Sequence, residues 1–281
     1  MAVVYPDPFL EIRVQILDLP KTIALCAGYD GGVWRTSELA KYLFQWLPYA
    51  ALSKDHLQSF SASNFVELLR AAAAHIYKTK KTASRGELGE LMLHIACIAH
   101  CKTIPVVCKL ILKTSSNDTV KGFDGVHVLP VDSNFELWLG ESKFYEGDGK
   151  KAVKDAVQSI KDHIVPSFLA TEKAMIIGHI PEDIPFRSDL VNLFKQQTSG
   201  DNLLKIAVFP VLITYDSASA TAFKTVATDY IAALGNEVAA LRALFSDQAS
   251  GLTLRFQLIF VPLKSKAELV TEFDKFLEAF Q

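Results

Sequence analysis

Hydrophobic positions along the chain change period repeatedly, and the changes mark out a succession of strands and helices. Residues 10–17 read as a first strand, followed by a glycine-rich turn at Gly28, Gly31 and Gly32. Leu39, Leu43 and Trp46 then share one face of a helix, with Thr36 or Ser37 as its cap. A second helix covers residues 64–77, with Glu67 three positions after Asn64 in the manner of a capping box. Lys78, Lys80, Lys81 and Arg85 form a basic polar loop. Leu88, Met92, Ile95 and Ala99 repeat at helical spacing through residues 87–101, and Pro105 closes that helix. Residues 106–114 read as a strand, and residues 122–131 and 135–143 as a hairpin joined by Asp132-Ser133-Asn134. Val153, Val157, Ile160 and Ile164 line the inner face of a helix over 150–165, ended by Pro166. Beyond it the pattern gives a short strand at 174–180, a helix at 188–197 and a strong strand at 204–215. A long helix at 220–245, a strand at 252–261 and a closing helix from Ser265 complete the chain. This order predicts an α/β fold, a mixed sheet flanked by helices.

Composition narrows the function classes. The 281 residues carry 29 Lys+Arg against 31 Asp+Glu, a net charge of −2, so no overall field draws the chain to nucleic acid or to an anionic membrane. Charge is uneven, however, with a small positive balance between Lys78 and Lys154 and a negative one elsewhere. No apolar run approaches the roughly 20 residues that span a bilayer. The start, Met-Ala-Val-Val-Tyr-Pro, has neither the basic nor the apolar region of a signal peptide. Cys26, Cys97, Cys101 and Cys108 show no disulfide-framework spacing, which points to a reducing, intracellular setting.

Candidate chemistry lies in three polar interruptions of apolar elements. Glu141 and Lys143 share parity with Phe135, Leu137 and Leu139, so the strand aims a carboxylate and an ammonium at the core side. Asp124 stands near the start of the partner strand. A two-residue loop at Ser133-Asn134 sets it opposite Lys143, a four-residue loop opposite Glu141, and a three-residue loop opposite Ser142 on the wrong face. Function thus requires an even loop or a bulge. Two convergent carboxylates suit a hard cation, Mg²⁺ or Mn²⁺, which fills its remaining positions with water and substrate phosphate. An adjacent lysine stabilises transition-state charge or helps deprotonate the attacking water, so the set fits phosphodiester hydrolysis. On the preceding helix Glu87, Glu90, His94, Cys97 and Cys101 fall on one side, and Gly86 and Gly89 beside the acids allow close approach of another backbone. Glu87 and Glu90 are both candidates for an added acid, and Glu90 lies nearer the motif-bearing face. Lys150, Lys151 and Lys154, with Gln158 one turn on, offer phosphate contacts at the start of the following helix.

The order helical Glu, strand, Asp strand, Glu-x-Lys strand, helix resembles the PD-(D/E)XK restriction-endonuclease-like core, although the Pro of that motif is absent. Arg85-Gly-Glu-Leu-Gly-Glu90, Lys121-Gly-Phe-Asp-Gly-Val-His127 and Leu137-Trp-Leu-Gly-Glu-Ser-Lys-Phe-Tyr145 together resemble the nuclease subunit of Hachiman anti-phage defence systems. Ala156-Val-Gln-Ser-Ile160, Pro210-Val-Leu-Ile-Thr-Tyr-Asp216 and Val261-Pro262 extend that resemblance from Arg85 to the C-terminus. It implies a nuclease domain over 81–281 with a C-terminal α/β extension, residues 1–80 packing on it as a strand and helices. It also implies a bacterial cytoplasmic enzyme that cuts DNA with a helicase partner and away from any membrane. Asp124 and Glu141 become metal ligands, Lys143 the catalytic lysine and Glu90 the helical acid. The competing expectation is a docking subunit that keeps the fold without catalysis.

Two features point elsewhere and carry less. His94, Cys97 and Cys101 have no second Cys/His pair at zinc-site spacing and read as buried core groups. Gly28-Tyr-Asp-Gly-Gly32 lacks the Gly-Lys-Ser/Thr ending of a P-loop, so no ATP site is legible in this chain.

Overall fold

Strands form where apolar and β-branched runs are bounded by turn residues, and the most continuous runs lie at the centre of the sheet. The computed structural model describes residues 3–61, 63–77, 85–112 and 122–280. Strands β1 (Glu11–Ile16) and β2 (Lys21–Cys26) precede a small hairpin, β3 (Tyr29–Asp30) and β4 (Val33–Trp34). Helices α1 (Thr36–Ala51), α2 (Lys54–Gln58), α3 (Phe65–Tyr77) and α4 (Gly86–Ala99) follow. Strand β5 (Ile104–Cys108) runs into the one-turn α5 (Lys109–Leu112), and β6 (Gly125–Val131) and β7 (Asn134–Phe144) make the central hairpin. Helices α6 (Lys150–His163), α7 (Pro166–Ile177), α8 (Arg187–Phe194) and α9 (Gly200–Ile206) lead to β8 (Ala207–Asp216). Helices α10 (Ala218–Ala222) and α11 (Thr228–Gln248), strand β9 (Arg255–Leu263) and helix α12 (Lys266–Ala279) end the chain.

Seven strands form one mixed sheet in the order β1-β2-β9-β8-β7-β6-β5. The inner strands β2, β9, β8 and β7 run parallel, and antiparallel pairs close both edges. Because alternate residues of β7 face opposite ways, the two helical layers can be assigned from it. A Cβ on Gly140 would stand 2.7 Å from Leu93 Cδ2, and one on Gly89 would stand 3.1 Å from Phe144 Cβ, so α4 lies against the Gly140–Ser142–Phe144 face. Glu141 and Lys143 face the other way, toward α6. Gly89 thus allows the close approach expected of it, whereas Gly86 has open space around it.

The α/β class and the flanking helices are as the pattern predicts, and several local expectations are corrected. Strand β2 lies between the first strand and the glycine turn, where no element was expected. The run 106–114 is a strand only to Cys108 and then turns into α5. Residues 174–177 continue α7 instead of forming a strand, because Pro166 does not stop a helix but starts one, at a position whose missing N–H costs nothing. Leu204 to Ile206 belong to α9, so β8 starts three residues later than expected. The long helix is broken between α10 and α11. Neither Thr36 nor Ser37 caps α1, whose N-cap position is held by Arg35, and Asn64 accepts from the Ser61 N–H (2.8 Å) instead of capping α3. Ser265 does cap α12, accepting from the Glu268 N–H at 3.2 Å. Arg85 is no surface loop residue; it is buried and pairs with Asp274 at 2.7 Å, tying the start of α4 to α12. Lys78, Lys80, Lys81 and Lys121 lie outside the described residues. The four cysteines are free thiols, and no described helix is long and apolar enough to cross a membrane.

Candidate active site

The register of the β6–β7 hairpin decides whether the acidic residues can meet. Val131 pairs with Asn134, leaving Asp132 and Ser133 as a two-residue turn, and the ladder continues to Gly125 opposite Gly140. Carried one residue further, this sets Asp124 across from Glu141, the register expected of the four-residue loop, with one more pair closed. The Asp124 N–H donates to Gly140 O at 2.9 Å and holds the strand end in place. Glu90, Asp124, Glu141 and Lys143 accordingly line one cavity of about 880 Å³. Glu87 is buried nearby but does not line it.

Glu90, Asp124 and Glu141 are each more than nine-tenths buried, so each needs a partner. Asp124 Oδ2 accepts from the Ser142 N–H (2.8 Å) and the Ser142 hydroxyl (2.7 Å), and Oδ1 accepts from the Lys109 ammonium at 2.9 Å. Burial works to raise its pKa, but Lys109 and Ser142 together hold it below the ordinary carboxylate value. Glu141 Oε1 accepts from Lys143 Nζ at 2.7 Å, and Oε2 stands 3.5 Å from His163 Nδ1. Burial and then the charge of Asp124 push the Glu141 carboxyl above its ordinary value, and the attraction of Lys143 only partly opposes them. The Lys143 ammonium also donates to Ser159 Oγ at 2.9 Å. Burial disfavours that ammonium, yet Glu141 and Asp124 raise its pKa, so it stays charged at neutral pH. His163, stacked on Phe168 with ring centroids 4.4 Å apart, is driven by burial down to about 4 and is neutral.

Sequence reasoning missed two lysines of this cavity. Lys109 donates to both Asp124 and Gly122 O (3.2 Å), and it sits where an apolar run turns from strand to helix. Lys266 opens α12, far along the chain, and is only 7% exposed. Beneath the Asp124 end, Glu172 of α7 accepts from the Phe123 N–H at 3.0 Å. Its carboxylate occupies the space a side chain at position 122 would need, and Gly122 has φ 146°, so both sterics and backbone require glycine there. The proposed phosphate contacts lie elsewhere. Lys150, Lys151, Lys154 and Gln158 are exposed on α6 and do not line the cavity, which α6 reaches through Ser159, Asp162 and His163. Lys150 pairs with Asp148, Lys151 with Asp155, and Gln158 donates to Asp162 at 2.8 Å.

Compared with family models, residues 4–277 match HamA. The chain belongs to the HamA family. It is therefore a component of the Hachiman anti-phage defence system, and the match takes in the N-terminal strands and helices as well as the motif-bearing part. A search of the curated proteins finds no match. Within this HamA-family chain the donor set is all oxygen at the acidic end of the cavity, with His163 neutral beside it. Among the described residues, no group of three or more His, Cys, Asp or Glu forms a ready metal cage. Two carboxylates, with Glu141 lifted by burial and then by the charge of Asp124, fit a Mg²⁺-type ion, which takes one or two protein carboxylates and keeps water in its other positions.

Proposed function

We propose that this chain is a metal-dependent DNA nuclease, the effector of a bacterial cytoplasmic complex with a helicase. The observation that supports it is the meeting of Asp124, Glu141 and Lys143 in one cavity, with Glu90 on its wall. Asp124 and Glu141 would hold Mg²⁺ or Mn²⁺, with Glu90 as an added acid. A bound ion of this kind makes water a better nucleophile at neutral pH and neutralises charge on the phosphate oxygens. Water attacks phosphorus in line and gives up one proton, the bond to the leaving sugar oxygen breaks, and that oxygen takes up a proton. Lys143, charged and anchored by Ser159, supplies an ammonium for the extra negative charge of the transition state. Exposed Lys150, Lys151, Lys154 and Gln158 would guide the duplex along α6 outside the cavity.

One observation favours a second reading, a non-catalytic docking subunit: Asp124 and Glu141 are already paired with Lys109 and Lys143. Plasmid degradation by the chain with its co-encoded helicase and ATP, in Mg²⁺ or EDTA, separates the two. The nuclease reading expects Mg²⁺-dependent cutting that vanishes in Glu141→Ala/Lys143→Ala while helicase binding survives. Equal inertness of both proteins across metals and substrates, with phage defence intact in the double variant, would establish the docking subunit instead.

A further inference from the structure

We propose that Lys266 is a phosphate-binding residue, gripping the nucleic-acid backbone inside the cavity beside the scissile group. The inference rests on the nuclease reading and extends it to a residue that no motif marks. Lys109 and Lys143 each face a carboxylate at 2.9 and 2.7 Å, but no ion pair to Lys266 is formed among the described residues. Its ammonium instead lies 5.0 Å above the ring of Phe144, the residue after Lys143, and its side chain lines the cavity although it is 93% buried.

The position is electrostatically wrong for a structural lysine. Lys266 is the first residue of the 14-residue α12, where the helix dipole favours an acid and disfavours a cation. The N-terminal N–H groups of α12 are met by Asp216 and Ser265, so it is the Lys266 ammonium, held over Phe144 at the cavity wall, that is left for an anion. Their placement is fixed. The Lys266 N–H donates to Asp216 Oδ1 at 2.7 Å, and Asp216 Oδ2 accepts from the Gly147 N–H at 2.9 Å, which locks the start of α12 to the loop after β7. The Arg85–Asp274 pair braces the same helix against α4, which carries Glu90. The anion must tolerate Asp124 and Glu141 in the same cavity. A phosphodiester whose neighbouring phosphate lies on their cation meets that condition, and an isolated carboxylate ligand does not.

The test measures binding apart from cutting. The full chain is titrated with fluorescent single-stranded and duplex oligonucleotides in Ca²⁺ at several salt concentrations, as wild type, Lys266→Met, Lys266→Gln and Lys266→Arg. Met keeps the stem over Phe144, and Gln provides a second neutral variant should Met disturb packing. The expected result is an affinity loss of about fivefold for both neutral variants and a salt slope smaller by about 0.7–0.9, the loss of one phosphate contact. Arg should restore most of both. In Mg²⁺ with helicase and ATP, the neutral variants should raise KM with kcat nearly unchanged. If wild type cuts and binds while the neutral variants match it in affinity and slope, the role of Lys266 is wrong and the nuclease stands. If wild type neither binds nor cuts, the nuclease reading fails and takes this proposal with it.

Discussion

Two acidic residues, Glu237 and Glu141, are held in contrasting ways. Half-buried Glu237 on α11 accepts four hydrogen bonds from neutral donors: the Ser219 N–H and hydroxyl at 2.7 Å, the Ser217 hydroxyl at 2.7 Å and the Tyr215 hydroxyl at 3.0 Å. That carboxylate knots the end of β8 to α10 and α11, and every donor is fixed by the fold. Glu141 has one short bond, from the Lys143 ammonium, while the His163 ring nitrogen nearest it makes no hydrogen bond. The charge of Asp124 works against it. A structural acid is thus satisfied by immobile neutral dipoles. Glu141, and Asp124 in part, is balanced by a side-chain ammonium group, which can give way to another cation.

The largest effect expected from this contrast is functional. Glu141→Ala/Lys143→Ala should lower nuclease activity by at least about 100-fold, in line with removal of transition-state charge stabilisation. Thermal unfolding of the same protein should show that the fold persists. Glu237→Ala should do the reverse. It strands the hydroxyls of Tyr215, Ser217 and Ser219, so a stability loss of about 2–3 kcal/mol is expected by denaturant titration, with kcat unchanged. A third substitution tests the floor of the site. At Gly140→Ala the new methyl would meet Leu93 Cδ2 at 2.7 Å, and overpacking of about 1–3 kcal/mol should follow.

The smallest expected effect is a pH slope. Burial raises the Glu172 carboxyl to about 7, above its ordinary 4.5, although the Phe123 N–H favours the charged form. The native state therefore keeps a proton that the unfolded chain has released. Its stability is free of this penalty below about 4.5, declines as the pH rises toward 7, and carries the full penalty above that. Urea titrations at pH 5 and pH 8 should show a smaller difference for Glu172→Gln, which retains an acceptor for the Phe123 N–H. An unchanged difference would place the charge of Glu172 outside the stability balance.

Much of the site was legible in the sequence because a strand has period two. Sharing parity with Leu137 and Leu139 placed Glu141 and Lys143 together, and the even-loop requirement for Asp124 is met by the register. What escaped notice did so for physical reasons. Lys109 lies inside Val106–Leu112, an apolar run in which the change from strand to helix leaves no break. The four apolar residues Ala174 to Ile177 are too few to reveal a helical period. Strand β2, six residues between Pro20 and the glycine turn, was hidden by its punctuated surroundings. Lys266 looks like any amphipathic helix start until the chain folds back and sets it over Phe144.

The most direct test of the central claim is Mn²⁺ binding by the full chain, followed by electron paramagnetic resonance. Wild type and Glu237→Gln should bind the ion alike, and Asp124→Ala/Glu141→Ala should lose it. Equal binding by the double variant, or none by wild type, would contradict the assignment of the cavity carboxylates as a metal site.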